Sequence, residues 1–474
     1  MPKLRVCVVG AGLAGTMCAS LLDTLDIFEI DLYEKRPDPA TEVEEDGTAQ
    51  DAFGRSTSAT KRSINLALSF RGQCALRELG LYDEAMQDTV PMPGRVIHTD
   101  KDGGTTYQAY GKPGQAIHSV SRQGLNNLLL KQARQSKNVR VHFSCAVKKL
   151  DTKAGKVDFT DGTSKEFDLI IGADGAYSMT RDLMLRENRT SFSRDYIAHG
   201  YKELCIPAVG GDYALENPHG LHIWPRGHHM LIALPNADKS FTATLFAPYH
   251  GANGFDAVDA DNADEIKTYF AANFPEMLTL MPNLVDDYKT NPVGSLVTIR
   301  VNPWHVGTHT KTVLIGDAAH AVVPFFGQGM NAAFEDGLQL FEHIRDATIS
   351  LGANSTFTKD KLSKVVEAFA TARKPAADGL ADLCVEHYHD MASNTASTLY
   401  LIQKKLEAVL HDLVPSHFTP LYTMVAFTRT PYHEAISRAE RQDFYTSMAV
   451  WAAVGATAVL GGMGLWNSRV AGRW

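Results

Sequence analysis

An excess of positive charge is absent from this chain of 474 residues, which has 46 Lys and Arg against 54 Asp and Glu and a formal net charge of −8. This balance argues against a nucleic-acid or polyanion binder, since such proteins present a basic face. The six cysteines include no CxxC pair, which favours reduced thiols in the cytosol over a disulfide framework. The chain also lacks an apolar leader before its first predicted strand, so we expect no cleaved signal peptide.

A metal site is not expected either. His387, His389 and Asp390 are close in sequence, but positions i and i+2 of the predicted helix point in different directions. His228 and His229 are neighbours on a predicted strand and therefore point to opposite faces. The composition that remains is that of an ordinary globular protein, 44% hydrophobic and 21% charged, with a length that suits two or three domains.

The N-terminal segment has the complete pattern of a dinucleotide-binding unit. An apolar strand over 4–9 leads into GxGxxG at Gly10, Gly12 and Gly15, then a small-residue helix to about residue 25 and a strand over 28–33 that ends at Glu34. The first glycine allows the tight turn, the second lets the backbone approach a pyrophosphate, and the third lets the helix pack on the strand. A glycine-rich turn without ligand is the alternative. We find no second copy of the unit, so it has to hold a tightly bound cofactor.

A second cofactor-binding shape is predicted in the stretch VLIGDAAHAVVPFFGQGMNAAFE, residues 313–335. A strand over 312–315 runs into Gly316 and Asp317, followed by a glycine-rich loop and a helix that begins at about Met330. The backbone N–H groups at a helix start have no intrahelical partner and suit an anionic or electron-rich ligand. The pattern alone does not identify the cofactor.

Between these segments we predict an acidic, solvated loop over 41–61, a helix over 71–79, a strand-like run with turns over 91–110, and a helix through residue 130 with Ser121 as its N-cap. Strands are predicted over 139–145, 157–160 and 169–171. The last of these ends in Gly-Ala-Asp-Gly at 172–175. The alternation of strands and helices predicts an α/β protein.

Three motifs in this order, GxGxxG at 10–15, Gly-Ala-Asp-Gly at 172–175 and Gly-Asp at 316–317, resemble the FAD-dependent aromatic hydroxylases. Within that class, RSINLALS at 62–69, HIWPR at 222–226, PFFGQGMNA at 324–332 and PLYTMV at 420–425 are similar to the kynurenine 3-monooxygenase family. Motifs this long, dispersed over about residues 4–437, indicate more than a shared fold, since proteins with the same fold often differ in function.

The resemblance implies four parts. These are a discontinuous Rossmann-like FAD-binding domain of the p-hydroxybenzoate hydroxylase type (1–90, 116–185 and 296–373), a mixed-sheet substrate domain (91–115 and 186–295), a C-terminal helical region over the pocket (374–445), and a membrane anchor with its tail (446–474).

The resemblance also implies where FAD binds. The pyrophosphate would lie on the GxGxxG loop, a ribose on Glu34, the ribityl chain on Asp317, and the isoalloxazine ring on Met330 and Asn331. A helix start beside the ring would stabilise the negative charge of reduced flavin. The implied cofactor residues are Gly10, Gly12, Leu13, Ala14, Gly15, Glu34, Lys35, Arg36, Ala67, Arg122, Asp174, Gly316, Asp317, Gly329, Met330 and Asn331.

The implied substrate is L-kynurenine, an aniline with an amino-acid tail. Its carboxylate needs a partner in an apolar cavity, and Arg95 with Tyr110 would form a charge-assisted clamp. Where the family has Asn and Glu in Asn-x-x-Glu-Met, this chain has His387 and Asp390, which leaves recognition of the amino acid open. The implied substrate residues are Arg95, Tyr110, Leu221, Ile223, Leu234, Phe246, Phe325, His387, Asp390, Met391 and Tyr422. For the apolar members the alternative is plain core, and for Arg95 a structural or surface arginine.

By the same resemblance, NADPH reduces the FAD, O2 adds to give a C4a-hydroperoxyflavin, and ring carbon 3 is hydroxylated to give 3-hydroxy-L-kynurenine in the kynurenine pathway of tryptophan catabolism. The protein would position the ring and exclude water, with no Ser, Cys or metal catalyst and with residues 374–437 as a moving cover. Two alternatives stay open. One is an FAD monooxygenase for another aromatic amine or phenol, and the other is a non-catalytic carrier on the same fold.

The C-terminal segment over 444–468 carries no charge, and its 25 residues would span a bilayer as a helix. Its insertion is marginal, because 449–466 has only three Val and two Leu against four Gly. Basic residues follow at Arg469 and Arg473. By resemblance we expect a tail anchor in the mitochondrial outer membrane with the catalytic part facing the cytosol. The alternatives are a small-residue helix packed on the protein and a soluble cytoplasmic enzyme.

Overall fold

The structure is a computed structural model that describes residues 3–41, 65–98, 104–306, 311–351, 356–389, 410, 414, 418–446 and 448. The first elements are β1 (Leu4–Val9), α1 (Leu13–Asp23), β2 (Phe28–Tyr33), β3 (Asn65–Leu68), α2 (Phe70–Glu78), α3 (Tyr82–Met86), β4 (Val90–Met92), β5 (Gly94–His98), β6 (Thr105–Ala109), β7 (Ile117–Ser121), α4 (Arg122–Gln135), β8 (Val139–His142), β9 (Val147–Asp151), β10 (Lys156–Phe159), β11 (Ser164–Glu166), β12 (Leu169–Gly172) and α5 (Met179–Glu187). The remaining ones are β13 (Ser191–Ile206), β14 (Leu221–Pro225), β15 (Met230–Pro235), β16 (Phe241–Pro248), α6 (Ala263–Asn273), α7 (Met277–Leu280), α8 (Leu284–Thr290), β17 (Gly294–Asn302), β18 (His305–Val306), β19 (Thr312–Leu314), α9 (Asp317–His320), α10 (Gly329–Leu351), α11 (Lys359–His389), α12 (Leu421–Phe427) and α13 (432–446).

A six-stranded sheet in the order β18-β19-β12-β1-β2-β8 carries the N-terminal unit. β1 pairs in parallel with β2 and β12, and β12 pairs in parallel with β19. Strands buried on both faces read as nearly continuous apolar runs, and β1 and β12 have this composition. The sheet therefore brings the ends of β1, β12 and β19 side by side. These are the three places where the glycine motifs begin.

A seven-stranded sheet in the order β17-β13-β16-β15-β14-β5-β6 forms the second layer. One buried row crosses five of its strands through Val96, His222, Ala233, Ala243 and Leu204. Members of this row pack with the helices α6 to α8 in one apolar cluster. Because side chains alternate along a strand, the residues next to the row face the other way. We call that opposite side the pocket face.

Two three-stranded sheets, β3-β7-β4 and β11-β10-β9, complete the strand pairing among the described residues. The first connects the two large sheets, since Asn65 on β3 donates from Nδ2 to Ser119 Oγ on β7 at 3.0 Å and to the carbonyl of Pro235 at 3.5 Å. β3 therefore lies at the junction of the two layers. This places the turn after β3 close to both.

A group of buried ions fastens the C-terminal helices to α2 and α10. We call it the Glu335 cluster, and it comprises Arg71, His320, Glu335, Asp336 and Arg373. Arg71 Nη1 donates to both Glu335 oxygens at 2.8 Å, and Arg373 contacts Glu335 at 2.9 Å and Asp336 at 2.8 Å. Burial would raise the pKa of Asp336, but the charges of His320 and Arg373 outweigh it and lower that pKa. Each charge in the cluster thus has a partner of opposite sign.

Arg71 also reaches the far end of the chain. Its guanidinium donates to the carbonyl of Val425 at 3.1 Å and to the carbonyl of Thr430. Its side chain lies over the ring of Tyr432, 4.0 Å from the centroid. α12 and the segment that follows it are therefore held on α2 through backbone acceptors.

Several predicted boundaries shift. The prediction that His228 and His229 lie on a strand was wrong, because Gly227 has φ +74° and begins the turn between β14 and β15. The run over 91–110 divides into β4, β5 and β6, and the strand predicted over 139–145 ends at His142. Ser121 caps α4 as predicted, with Oγ accepting from Gly124 N at 3.2 Å.

The predicted loop over 41–61 lies, apart from Thr41, outside the described residues. So does nearly all of the predicted anchor over 446–474. Among the helices that are described, none has both the length and the apolar composition to cross a membrane.

Candidate functional site

Of the three glycines in the GxGxxG loop, two are required by close backbone packing, and the third has open space where a side chain would be. Gly10 has φ +102°, and a β-carbon there would lie 2.5 Å from the carbonyl oxygen of Ala173. A β-carbon on Gly15 would lie 1.9 Å from the carbonyl oxygen of Gly10, whereas one on Gly12 would meet nothing within 4 Å. Gly12 is also the N-cap of α1 and supplies no side-chain cap. The open backbone at a helix start fits a pyrophosphate.

Glu34 stands at the end of β2 beside this loop and is only 6% exposed. Its carboxylate accepts from Ala11 N at 3.0 Å, from Arg36 N at 3.0 Å and from Arg36 Nε at 2.9 Å. Burial would raise the pKa of Glu34, but the hydrogen bonds from Arg36 and Ala11 lower it overall. The group is thus a fixed carboxylate, an acceptor suited to ribose hydroxyls. Lys35 and Arg36 are exposed next to it.

The Gly-Asp motif at 316–317 lies next to the GxGxxG helix. Gly316 has φ +56°, and a β-carbon on it would lie 3.0 Å from the β-carbon of Ala14 on α1. The next residue, Asp317, is exposed at the start of α9. The Gly-Asp turn therefore brings an exposed carboxylate next to the GxGxxG helix. Leu13 and Ala14 are both half-buried there.

Asp174, in the Gly-Ala-Asp-Gly motif, has a structural task in the chain. Its carboxylate accepts from Thr180 N at 3.0 Å and from the Ser178 hydroxyl. It thereby fixes the start of α5 next to the end of β12. Arg122, at the start of α4, is exposed.

The loop before α10 is held by one amide. Asn331 is fully buried, its Oδ1 accepts from Ser69 N at 2.8 Å, and its Nδ2 donates to the carbonyls of Ala67 at 2.7 Å and Gly327 at 2.9 Å. Both amide hydrogens are therefore used inside the protein. Of Asn331, the backbone is what remains for a ligand. The sequence analysis did not foresee this tie, because two of the partners, Ala67 and Ser69, lie 264 and 262 residues away.

Arg95 and two tyrosines form a distinct polar spot on the pocket face. Arg95 is 8% exposed, and its guanidinium carbon lies 5.5 Å from the ring centroid of Tyr110 and 5.8 Å from that of Tyr422. The two rings stack at 4.6 Å. Burial raises the pKa of both hydroxyls, which also hydrogen-bond each other, so both are protonated and one O–H of the pair remains as a donor. Among the described residues no acceptor or acid pairs with Arg95. A buried cation without a partner is costly, so this spot fits an anionic ligand group.

The predicted apolar wall residues come together around this spot. The ring of Phe325 lies 5.0 Å from that of Phe246, and both share a buried cluster with Ile223. Leu221 and Leu234 pack in an adjoining cluster with Tyr110, Tyr422 and Ala67. A β-carbon on Gly327 would lie 3.2 Å from that of Ala67, so the pocket face and the loop before α10 meet here.

The end of α11 covers the phenylalanines of this wall. His387 is half-buried with its ring 4.6 Å from that of Phe326, while Asp390 and Met391 lie outside the described residues. Tyr388, which the sequence analysis missed, has its ring 4.5 Å from that of Phe325 and donates from its hydroxyl to the carbonyl of His228 at 3.2 Å. The available signal was its place next to His387, in the segment where the resemblance implies His387, Asp390 and Met391.

The sequence matches the profile of the FAD binding domain family over residues 3–348. It is 39% identical over 430 residues to a kynurenine 3-monooxygenase of Dictyostelium discoideum, covering 90% of this chain and 89% of the relative. It is 38% identical over 455 residues to that of Sus scrofa, covering 95% and 89%, and 40% identical over 445 residues to that of Salinispora tropica, covering 93% and 91%.

Two solved structures share the fold at low sequence identity. The tetrameric 2-methyl-3-hydroxypyridine-5-carboxylic acid oxygenase aligns with a TM-score of 0.64 at 20% identity over 88% of this chain and 98% of its own. HpxO of Klebsiella pneumoniae, solved with FAD, aligns with a TM-score of 0.65 at 19% identity over 87% and 98%. The fold is therefore that of the FAD-binding monooxygenases.

Proposed function

The chain belongs to the kynurenine 3-monooxygenase family, and from that membership we infer that it is an FAD-dependent monooxygenase that uses NADPH and O2 to convert L-kynurenine into 3-hydroxy-L-kynurenine. Its membership supports the reaction class, the cofactor and the substrate. The arrangement of its own residues supports the way in which the ligands are held.

The observation that carries the proposal is Arg95. It is a buried cation on an apolar face, next to two neutral hydroxyls, and no described residue pairs with it. A substrate carboxylate would supply the missing charge and accept a hydrogen bond from the Tyr110–Tyr422 hydroxyl pair as well. An amino acid with an aromatic ring fits, since the neighbouring walls are apolar side chains such as Ile223 and Phe246.

When bound, the flavin supplies the redox chemistry that delivers oxygen to the ring. The open backbone at Gly12 would hold its pyrophosphate, Glu34 a ribose and Asp317 the ribityl chain. Asn331 keeps the loop before α10 against the turn after β3, which orients the backbone beside the ring. The rings of Phe325 and Tyr388 lie 4.5 Å apart and would exclude water from the reacting ring, a condition for efficient oxygen transfer.

Purified protein supplied with L-kynurenine, NADPH and O2 tests the proposal. Mass spectrometry should find a product with one added oxygen, and NADPH oxidation should accelerate when kynurenine is added. The variant Arg95→Met should retain the yellow cofactor and lose most of the turnover. A yellow protein that oxidises NADPH equally fast with and without kynurenine, and forms no oxygenated product, would refute the proposed substrate.

A second candidate is an FAD monooxygenase for another aromatic amine or phenol. It is favoured by His387, which stands against Phe326 where the family has an asparagine. Comparing kynurenine with a panel of aminobenzoates and phenols in the same assay separates the two. The first candidate requires kynurenine to have the highest kcat/KM.

We further propose that residues 446–474 attach the enzyme to a membrane, as a mitochondrial outer-membrane anchor with the catalytic part in the cytosol. The support is the uncharged sequence over 444–468, followed by Arg469 and Arg473. Deleting the residues after Tyr445 should move the protein from the membrane fraction to the soluble fraction. An unchanged distribution would contradict the anchor.

A further inference from the structure

A carboxyl group on the pocket face has no use in the site described so far. Glu203 lies on β13, is half-buried, and no described residue donates a hydrogen bond to its side chain. Burial raises the pKa of Glu203 to about 7, against the opposing charge of Arg122. No ion pair joins these two groups within the described part of the chain. A half-buried carboxylate without a protein partner indicates that a ligand donates a hydrogen bond to it.

The strand register puts Glu203 on the same face as Arg95. The buried row through the sheet begins at Val96 and ends at Leu204. Arg95 and Glu203 are each one residue from a member of this row, and alternation turns both to the pocket face. Packing agrees, because Tyr201, two residues before Glu203, packs on the cluster of Phe246 and Phe325, whereas Lys202 donates to the carbonyl of Tyr288 on the helix side.

The two groups stand at opposite ends of the pocket. β5, β14, β15, β16 and β13 are successive neighbours, so four strand spacings, about 19 Å, separate the backbones of Arg95 and Glu203. Both side chains project from the pocket face, so this separation is the upper limit on the span of a ligand held between them. A ligand held by its carboxylate at Arg95 would direct its ring towards Glu203.

The side chains between Arg95 and Glu203 on the pocket face are mostly apolar. Leu221, Ile223, Leu234 and Phe246 present only carbon to the pocket. Thr244, which pairs with Glu203 across β16, is 2% exposed. Glu203 is the one acidic residue in β5, β14, β15, β16 and the 201–206 part of β13.

We propose that Glu203 is a specificity-determining residue that accepts a hydrogen bond from the amino group on the substrate's aromatic ring, at the end of the pocket opposite the Arg95 clamp. This inference rests on the proposed function. It adds to it an explanation of how the enzyme distinguishes an aniline from an aryl ketone without the amino group. A buried acceptor discriminates because an analogue without the N–H leaves it unsatisfied.

The test compares equilibrium binding of L-kynurenine with that of the analogue lacking only the ring amino group, in FAD-loaded protein without NADPH. Calorimetry gives both dissociation constants for the native chain and for the variants Glu203→Gln and Glu203→Leu. At pH 8 we expect the native chain to prefer kynurenine about tenfold, the size of one hydrogen bond to a charged group. Glu203→Leu should bind both ligands equally. Arg95→Met should weaken both by the same factor and keep the preference.

The pH dependence is a second readout. The ionised carboxylate is the better acceptor, so the native preference should grow between pH 6 and pH 8, as Glu203 loses its proton near the pKa of about 7. Glu203→Gln, which keeps an acceptor but cannot ionise, should show a preference that does not change over this range. Tyr201, Arg122 and Tyr249 are the other titratable groups in its electrostatic surroundings, and none of them is altered in these variants.

Two results would overturn the proposal. In the first, Glu203→Leu retains the tenfold preference. In the second, both Glu203 variants lose FAD while their ligand preference is unchanged, which would assign the carboxyl to the cofactor side through Arg122. Failure of the proposed function has a different signature, since the native chain would then bind neither ligand and form no oxygenated kynurenine.

Discussion

The Glu335 cluster and the Arg95 spot contain the same kind of group in opposite circumstances. Arg71 is fully buried and bonded to both oxygens of Glu335, with Arg373 beside it. Arg95 is almost as deeply buried, at 8% exposure, yet no described residue pairs with it. Burial of an arginine therefore does not distinguish a structural role from a ligand-binding one. The missing partner does, because a buried charge that the protein leaves uncompensated must be paired by something else.

The largest effect should come from breaking the paired side of this comparison. Glu335→Gln keeps the shape of the side chain and leaves Arg71 and Arg373 without their shared carboxylate. We expect the free energy of unfolding to fall by about 3–5 kcal/mol, measured by urea denaturation. The control is Glu342→Gln, whose partner Arg429 is 33% exposed and whose loss should cost at most about 1 kcal/mol. Equal losses in the two variants would show that the cluster is not specially coupled.

Arg95→Met tests the unpaired side. Removing a buried charge that has no protein partner should leave the free energy of unfolding of the ligand-free protein unchanged or slightly higher. Kynurenine binding should weaken by about 2–5 kcal/mol, since a buried charge-paired hydrogen bond is lost. Calorimetry and urea denaturation on the same preparation measure both. A variant that loses stability in parallel with affinity would place Arg95 among the structural arginines.

The same division can be tested in the glycine loop. Gly15→Ala would force a β-carbon to 1.9 Å from the Gly10 carbonyl oxygen, and we expect a stability loss of about 1–3 kcal/mol with loss of FAD. Gly12→Ala meets no protein atom within 4 Å, so it should fold normally and only weaken FAD binding. Flavin absorbance after gel filtration reports cofactor retention. Loss of stability in Gly12→Ala would contradict an open, ligand-facing backbone.

The smallest effect is expected at the hydroxyls around Arg95. Tyr422→Phe keeps the stacking with Tyr110 and removes one hydroxyl of the hydrogen-bonded pair, so kynurenine binding should weaken by about 0.5–1.5 kcal/mol. Tyr201→Phe, at the far end of the pocket from the clamp, is the control and should not reproduce the loss. If Tyr422→Phe binds kynurenine as tightly as the native chain, the carboxylate is held by Arg95 without this hydroxyl.

The sequence predicted what depends on local pattern. GxGxxG between a strand and a helix, with Glu34 closing the next strand, specifies a compact unit whose parts are within about 25 residues of one another. Leu221, Ile223 and Phe246 were implied as wall residues by the family resemblance, and their place on the substrate stays a prediction. The family match bears out the reaction class and the cofactor, and the solved structures bear out the fold.

Contacts between segments far apart in the chain could not be predicted from the sequence. Arg71 was expected only as a helix residue, because nothing in its neighbourhood indicates a carboxylate 264 residues later. Glu203 was missed because one carboxyl between Lys202 and Leu204 forms no motif. His228 and His229 were assigned to a strand because the conformation of Gly227, which begins the turn, depends on how β14 and β15 pair.

The bonds from Arg71 to Val425 and Thr430 end on backbone carbonyls. A carbonyl is the same in every amino acid, so the identities of residues 425 and 430 are not specified by these bonds, while the guanidinium at position 71 is. Tolerance to substitution should therefore be asymmetric across this junction. A lineage can vary the C-terminal side of the contact and keep the attachment, but a change at Arg71 releases both carbonyls at once.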